Sequence, residues 1–214
     1  WDNCFGVHTY ENGDVYEGEW KDNNRHGFGK YTFIYGDVYE GEWKDNNRHG
    51  FGKYTFIYGD IYEGEWRNNK NDGVGKYTWA NGNVYEGEFK DNLKNGQGRM
   101  TKANGEQYIG KFKNSKRHGH GKMIWPARGI SYEGEWKDDI RHGHGKMTWQ
   151  DGFIYDGAFV KGKWHGYGQM TYPNGDVYEG DWSNDKRHGN GKYTFANGDI
   201  DEGIWDNDKF ISKE

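Results

Sequence analysis

Arg25-His26-Gly27-Phe28-Gly29-Lys30 sets a histidine and two alternate glycines between two cations. Two chemistries suit that combination. A Gly-x-Gly turn beside positive charge can cradle a phosphate with its backbone N–H groups, and imidazole near carboxylates can hold a metal ion. The stretch Asn23–Phe33 returns verbatim at Asn46–Phe56, and weaker copies follow to the C-terminus. Two adjacent copies read Arg-His-Gly-His-Gly-Lys, adding His120 and His144 where earlier copies carry Phe28, Phe51 and Val74. In extended chain, residues two apart share a face. His118 then lies with His120, and His142 with His144, while the intervening segment offers Glu133 and Glu135 to the same face. Imidazoles and a carboxylate on neighbouring strands can bind zinc. Cys4, His8 and His26 make a second such set near the N-terminus. No cofactor is otherwise called for.

Repetition argues against a unique site. A phosphate loop is singular and opens a helix; this motif does neither, and every one of the 36 glycines except Gly162 falls at a repeat position. Glu17, Glu40, Glu63, Glu86, Glu133, Glu179 and Glu202 form a column rather than a pair in a cleft. Ser115, Ser131, Ser183 and Ser212 stand in no nucleophile-elbow context. The pattern is that of a protein without catalytic activity.

Composition narrows the class further. Leu, Ile, Val and Phe make up only 30 of 214 residues, a level that alone suggests disorder. Against it stand 11 Trp, 17 Tyr and 11 Phe, regularly placed, so the apolar surface is aromatic rather than aliphatic. A formal charge of −5 argues against nucleic acid, whose binding needs a cationic surplus. The lone Cys4 rules out an internal disulfide framework and fits a reducing compartment. No apolar run approaches the roughly 18 residues of a spanning helix. The chain opens at Trp1 without Met and reads as a fragment or processed piece.

The elements follow from self-alignment. Tyr16, Tyr39, Tyr62, Tyr85, Tyr108, Tyr132, Tyr155 and Tyr178 each precede Gly by two residues and Trp or Phe by four. The spacing is 23 throughout, except 24 between Tyr108 and Tyr132; Asp201 opens a ninth copy. Asn-Gly at Asn12, Asn81, Asn104, Asn174 and Asn197, with Asp-Gly at Asp151, predicts type I′ turns. A polar loop such as Lys21–Arg25 separates the two strands of each unit. Parity places Tyr16, Gly18 and Trp20 on one face with Gly27, Gly29, Tyr31 and Phe33. Glu17 and Glu19 go to the other face with Phe28 and Lys30. Trp43 is expected to be buried, and Glu42→Ala to leave stability unchanged. The extra residue in Trp125–Tyr132 predicts a longer turn around Pro126.

The unit YEGEWKDNNRHGFGKYTFIYGDV resembles the MORN repeat (membrane occupation and recognition nexus), and the resemblance covers the whole chain. Departures are local: Asp201 for Tyr, Cys4 at a glycine position, and Trp164-His165 where most copies read Arg-His. The resemblance implies an all-β fold, an elongated, twisted antiparallel sheet of stacked hairpins with a groove. Residues 1–214 form one array: a truncated leading half-repeat (1–15), eight repeats (16–200) and an incomplete terminal repeat (201–214) lacking its second strand. At roughly 4.8 Å per strand the rod is roughly 80 to 90 Å long.

The cations, Arg25, Arg48, Arg117, Arg141 and Arg187 with Lys30, Lys53, Lys76, Lys122, Lys146 and Lys192, are expected to pair across strands with the acidic column. A C-terminal sheet edge carrying Ile204, Phe210 and Ile211, with Trp182 and Trp205 close by, is expected to form a homodimer. Ala158, Val160 and Trp164 make a second apolar loop open to a partner. The expected function is a self-associating scaffold for cytoskeletal or membrane-associated proteins, in the cytoplasm and beneath a membrane. The alternatives are a tether binding phosphoinositide lipids and an interaction module of a larger enzyme.

Overall fold

The computed structural model describes residues 4–213. Alternating aromatic and charged residues produce strands, and the described residues contain no α-helix, only one turn of 3₁₀ helix at Pro126–Arg128. The chain divides into two compact units. One holds the described residues up to Asn104 with Phe112–Ser115, the other Gly105–Lys111 and the described residues from Lys116 onward.

The first unit contains β1 (Cys4–Thr9), β2 (Val15–Lys21), β3 (Asn24–Thr32), β4 (Val38–Lys44), β5 (Asn47–Thr55), β6 (Ile61–Arg67), β7 (Lys70–Thr78), β8 (Val84–Lys90) and β9 (Leu93–Thr101). There follow β10 (Gln107–Lys113), β11 (Lys116–Trp125), β12 (Ile130–Lys137), β13 (Ile140–Trp149) and β14 (Ile154–Val160). The last are β15 (Lys163–Thr171), β16 (Val177–Ser183), β17 (Lys186–Thr194), β18 (Ile200–Asp206) and β19 (Lys209–Lys213). From β1 to β9, and again from β11 to β19, each strand pairs antiparallel with its sequence neighbours.

Two turn types alternate, and the Asn-Gly turns are not the type I′ turns expected. At Asn12-Gly13 only the glycine has positive φ (90°). Gly13 donates to Tyr10 O at 2.9 Å, and Tyr10 donates to Asp14 O at 2.8 Å. This is a three-residue loop, a type I turn closed by a glycine bulge. Asn12 contributes its side chain instead: its Oδ1 accepts the Asp14 N–H at 3.1 Å. The type I′ turns are the supposed polar loops, where Asp22 and Asn23 have φ of 49° and 61°. Asp and Asn tolerate that region because their short polar side chains bond locally.

Parity holds. β2 and β4 alternate between buried and exposed, and Tyr16, Tyr39, Tyr62, Tyr85, Tyr132, Tyr155 and Tyr178 are fully buried. Gly18 pairs with Gly29, and Gly29 with Gly41, so glycines run as a row across the strands. The Tyr16 ring lies over that row; a Cβ on Gly29 would collide with it. Trp43 caps the row by donating from Nε1 to Gly29 O at 3.1 Å.

The 24-residue spacing appears as a four-residue turn. Trp125 still pairs with Ile130, Pro126–Arg128 form the 3₁₀ turn, and Gly129 closes it by donating to Pro126 O at 3.0 Å. The terminal repeat is less truncated than expected. Its second strand, β19, exists, with Ile204 opposite Ser212 and Trp205 opposite Phe210.

Candidate functional site

The buried aromatic face carries Arg25, Arg48, Arg117, Arg141 and Arg187. Arg25 shares the parity of Gly27, Gly29 and Tyr31, which puts it on the ring side, and a register shift between Gly18 and Trp20 sets it opposite Trp20. Its guanidinium lies 4.5 Å from the Trp43 ring and 5.0 Å from that of Tyr31. Arg48 repeats this over Trp66 and Tyr54 at 4.5 and 5.0 Å, Arg117 lies 4.3 Å over Trp136, and Arg187 lies 4.5 Å over Trp205. Such contacts contribute about 0.5 to 2 kcal/mol each. The expectation that all cations pair with the acidic column is therefore corrected. Ion pairs with that column are made by Lys53 to Glu63 at 3.6 Å, Lys76 to Glu86 at 3.7 Å and Lys122 to Glu133 at 3.2 Å.

Each guanidinium is fixed from the next type I′ turn. Arg25 Nη2 donates to Asn46 O at 3.0 Å, and Asn46 Oδ1 accepts the Arg25 backbone N–H at 2.9 Å. Asp139 and Asp208 do the same for Arg117 and Arg187, and their carboxylates also accept from Nε at 2.9 and 3.4 Å. A second link crosses the other turns. Tyr31 donates to Asp14 at 2.7 Å, and Ile34 N–H donates to the other oxygen at 2.9 Å. These two donors hold the Asp14 carboxyl below the usual carboxylate range, the backbone N–H contributing more. Burial pushes the Tyr31 hydroxyl up to about 12.

The outer face contained a role that parity alone missed. The same register shift leaves the Phe28 N–H facing Glu19 Oε1, which accepts it at 3.0 Å; Glu42 takes the Phe51 N–H at 2.8 Å and Glu135 the His144 N–H at 3.0 Å. These glutamates seal a backbone defect, so Glu42 is not a passive surface residue.

The structure does not assemble either metal set. Among the described residues no group of three or more His, Cys, Asp or Glu side chains is placed to hold a metal ion. Glu135 is committed to His144 N–H, and Glu133 to Lys122. His118 lies 3.8 Å from Asp138 and the His144 ring 3.3 Å from Asp156. His120 pairs in register with Glu135, and His142 lies on β13. Cys4 and His26 line one small depression beside Glu19, but His8 packs edge-on against Tyr10 at 4.6 Å.

The residues proposed for self-association also separate. Trp182 and Trp205 are buried on the aromatic face, and Phe210 lies against Trp205 at 5.2 Å. Ile204 and Ile211 remain exposed. Val160 is exposed at its turn, whereas Trp164 occupies the arginine position of its repeat, stacked flat on Tyr155 at 4.6 Å and 5.2 Å from Trp182.

A comparison with curated proteins gives no match. Among solved structures, the TCP domain of Drosophila melanogaster SAS-4, in complex with a proline-rich motif, aligns over 94% of this chain and 90% of its own. That alignment has 11% identity and a TM-score of 0.42. The G-box domain of the microcephaly protein CPAP aligns over 95% and 100%, at 14% identity and a TM-score of 0.40. Likeness at this level carries no functional argument. The family model described as MORN repeat matches residues 16–38, 39–60, 62–84, 85–107, 108–129, 132–153, 155–177 and 178–200. With tyrosine, glycine row and turn glycine recurring through those eight matches, the chain belongs to the MORN-repeat family.

Proposed function

We propose that this chain is a non-enzymatic structural scaffold that self-associates and organises cytoskeletal or cortical protein assemblies in the cytoplasm near a membrane. A MORN array is an interaction repeat, for protein or for membrane. The division of cations between the two faces supports the protein side. Lys53 and Lys76 lie across from glutamates, and Arg25 and Arg48 lie over rings. Neither column is the uncompensated cluster of four to eight cations that a polybasic lipid site uses. For self-association the supporting features are β19, whose far edge pairs with no strand among the described residues, and the exposed Ile204 and Ile211.

Light scattering at tens of micromolar, run beside flotation with vesicles containing phosphatidylinositol 4,5-bisphosphate in near-physiological salt, separates the readings. A dimer that does not float is expected. A monomer that floats would replace the scaffold with the phosphoinositide tether.

A further inference from the structure

Between Arg117 and Gly162 three local changes alter the aromatic face within the second unit. Met147 and Ile130 stand where Tyr31 and Asp14 make their hydrogen bond in the first repeat, so both the ring and its acceptor are missing. The four-residue turn brings in Arg128. Gly162 stands where Asn46, Asp139 and Asp208 place a side chain on the preceding arginine. The result is a pocket of about 380 Å³ lined by Trp125, Trp136, Met147, Arg117, Arg128 and Arg141.

Its arginines are not equivalent. Arg117 is held by Asp139. Arg141 Nη2 donates to Gly162 O at 2.8 Å and Nη1 faces Met147 Sδ at 2.9 Å, with no carboxylate partner among the described residues. Asp185, whose charge reaches Arg141, accepts the Trp164 backbone N–H. Arg128 is exposed and forms no ion pair among the described residues. Arg25 and Arg48 also face asparagines, but the Tyr31 and Tyr54 rings fill the space beneath them. Arg141 is half-buried, and a guanidinium partly withdrawn from water without a counter-charge is favoured by whatever completes it.

We propose that this pocket receives an acidic segment of a partner polypeptide, with one Asp or Glu carboxylate on Arg141 and an adjacent apolar side chain against Trp125 and Trp136. A carboxylate suits one half-buried and one exposed cation; a polyphosphate headgroup needs more free positive charge. The choice of a polypeptide rests on the scaffold reading.

Gly162→Asp tests it without breaking the fold. Gly162 has φ of 82°, close to the 71° and 70° that Asp139 and Asp208 adopt, and a Cβ there meets only Ile140 Cγ2 at 3.7 Å. The introduced carboxylate would occupy Arg141 as Asp139 occupies Arg117. The whole chain is panned against a random dodecapeptide display library, and a synthetic consensus peptide is then titrated. Enriched sequences should carry Asp or Glu beside an aromatic or aliphatic residue. Changing that acid to its amide, or using Gly162→Asp or Met147→Tyr protein, should weaken binding at least tenfold. No enrichment, a consensus without an acid, unchanged affinity in Gly162→Asp, or full displacement by an inositol bisphosphate headgroup each overturns the proposal. Light scattering on the same samples keeps the two readings apart. A pocket that fails in a protein that still dimerises leaves the scaffold standing, and loss of self-association sinks the scaffold whatever the pocket does.

Discussion

Tyr54 donates a 2.6 Å hydrogen bond to Asp37, which lies 17 residues earlier and also accepts the Ile57 N–H at 2.9 Å. Both partners are buried. The contact joins one inter-repeat turn to the next, and it recurs as Tyr31–Asp14, Tyr77–Asp60 and Tyr193–Asp176. Where the aspartate becomes Asn83 or Phe153, the tyrosine becomes Met100 or Met170. Tyr54→Phe should therefore cost about 1.5 to 3 kcal/mol, the range for a hydrogen bond to a charged group, whereas Met100→Leu should cost under about 1.5 kcal/mol as a near-isosteric swap. Denaturant titration of both variants checks the contrast, and equal losses would remove the link as a stabilising unit.

Glu40 and Glu42 share the outer face, yet their losses should differ. Glu42 accepts a backbone N–H exposed by the register shift, while Glu40 stands opposite Lys53 in register. Glu42→Ala should cost about 0.5 to 1.5 kcal/mol, the net value of one hydrogen bond. Glu40→Ala should stay within about 0.5 kcal/mol, as exposed pairs do. Chemical denaturation of the two single variants decides, and a silent Glu42→Ala would reduce the carboxylate to a surface group.

Stability should fall at both ends of the pH scale. Asp14 is held low chiefly by the Ile34 N–H and then by Tyr31, and Asp176 chiefly by Tyr193. With folded pKa values depressed, the unfolded chain takes up protons first. The stabilisation is whole above the ordinary value of about 4 and is lost as pH drops below it. Tyrosines run the other way: burial raises Tyr31 to about 12 and Tyr16 and Tyr39 further. Unfolded tyrosines ionise near 10, so stability declines as pH climbs from about 10 towards the folded values. Thermal melts across pH should show a plateau with two shoulders, and an unchanged Tm at about pH 11 would contradict the alkaline one.

Which face a residue takes was legible because strand parity is strict and the repeat averages out local noise. Tyr16, Gly18 and Trp20 needed nothing more. Turn type was not, since Asn-Gly serves a type I′ turn and a glycine bulge equally well; the difference lies in the φ of Asn12, which follows from loop length. The face of Arg25 was legible too, since it shares the parity of Gly27, Gly29 and Tyr31; what was not is the two-residue register shift that sets it opposite Trp20, because no residue type in Trp20–Arg25 announces it. The histidine–glutamate set failed on competition: Glu133 and Glu135 have the right parity for a metal, but each already has a donor closer to hand.

Self-association should respond to the residues that remain exposed, not to those turned inward. Phe210 covers Trp205 and Trp182 is buried, so changing either would unsettle the aromatic face before it touched a partner. Ile204 lies opposite Ser212 and Ile211 beside it on β19, both open to solvent. An unpaired strand edge next to apolar side chains can satisfy its backbone groups antiparallel against a second copy about a two-fold axis. Ile204→Lys combined with Ile211→Asp should then yield a folded monomer with unchanged far-ultraviolet circular dichroism, while Val160→Asp should leave the dimer intact. A double variant that stays dimeric would move the contact away from this edge, and a monomer produced by Val160→Asp would place it at the turn that Val160 shares with Lys161.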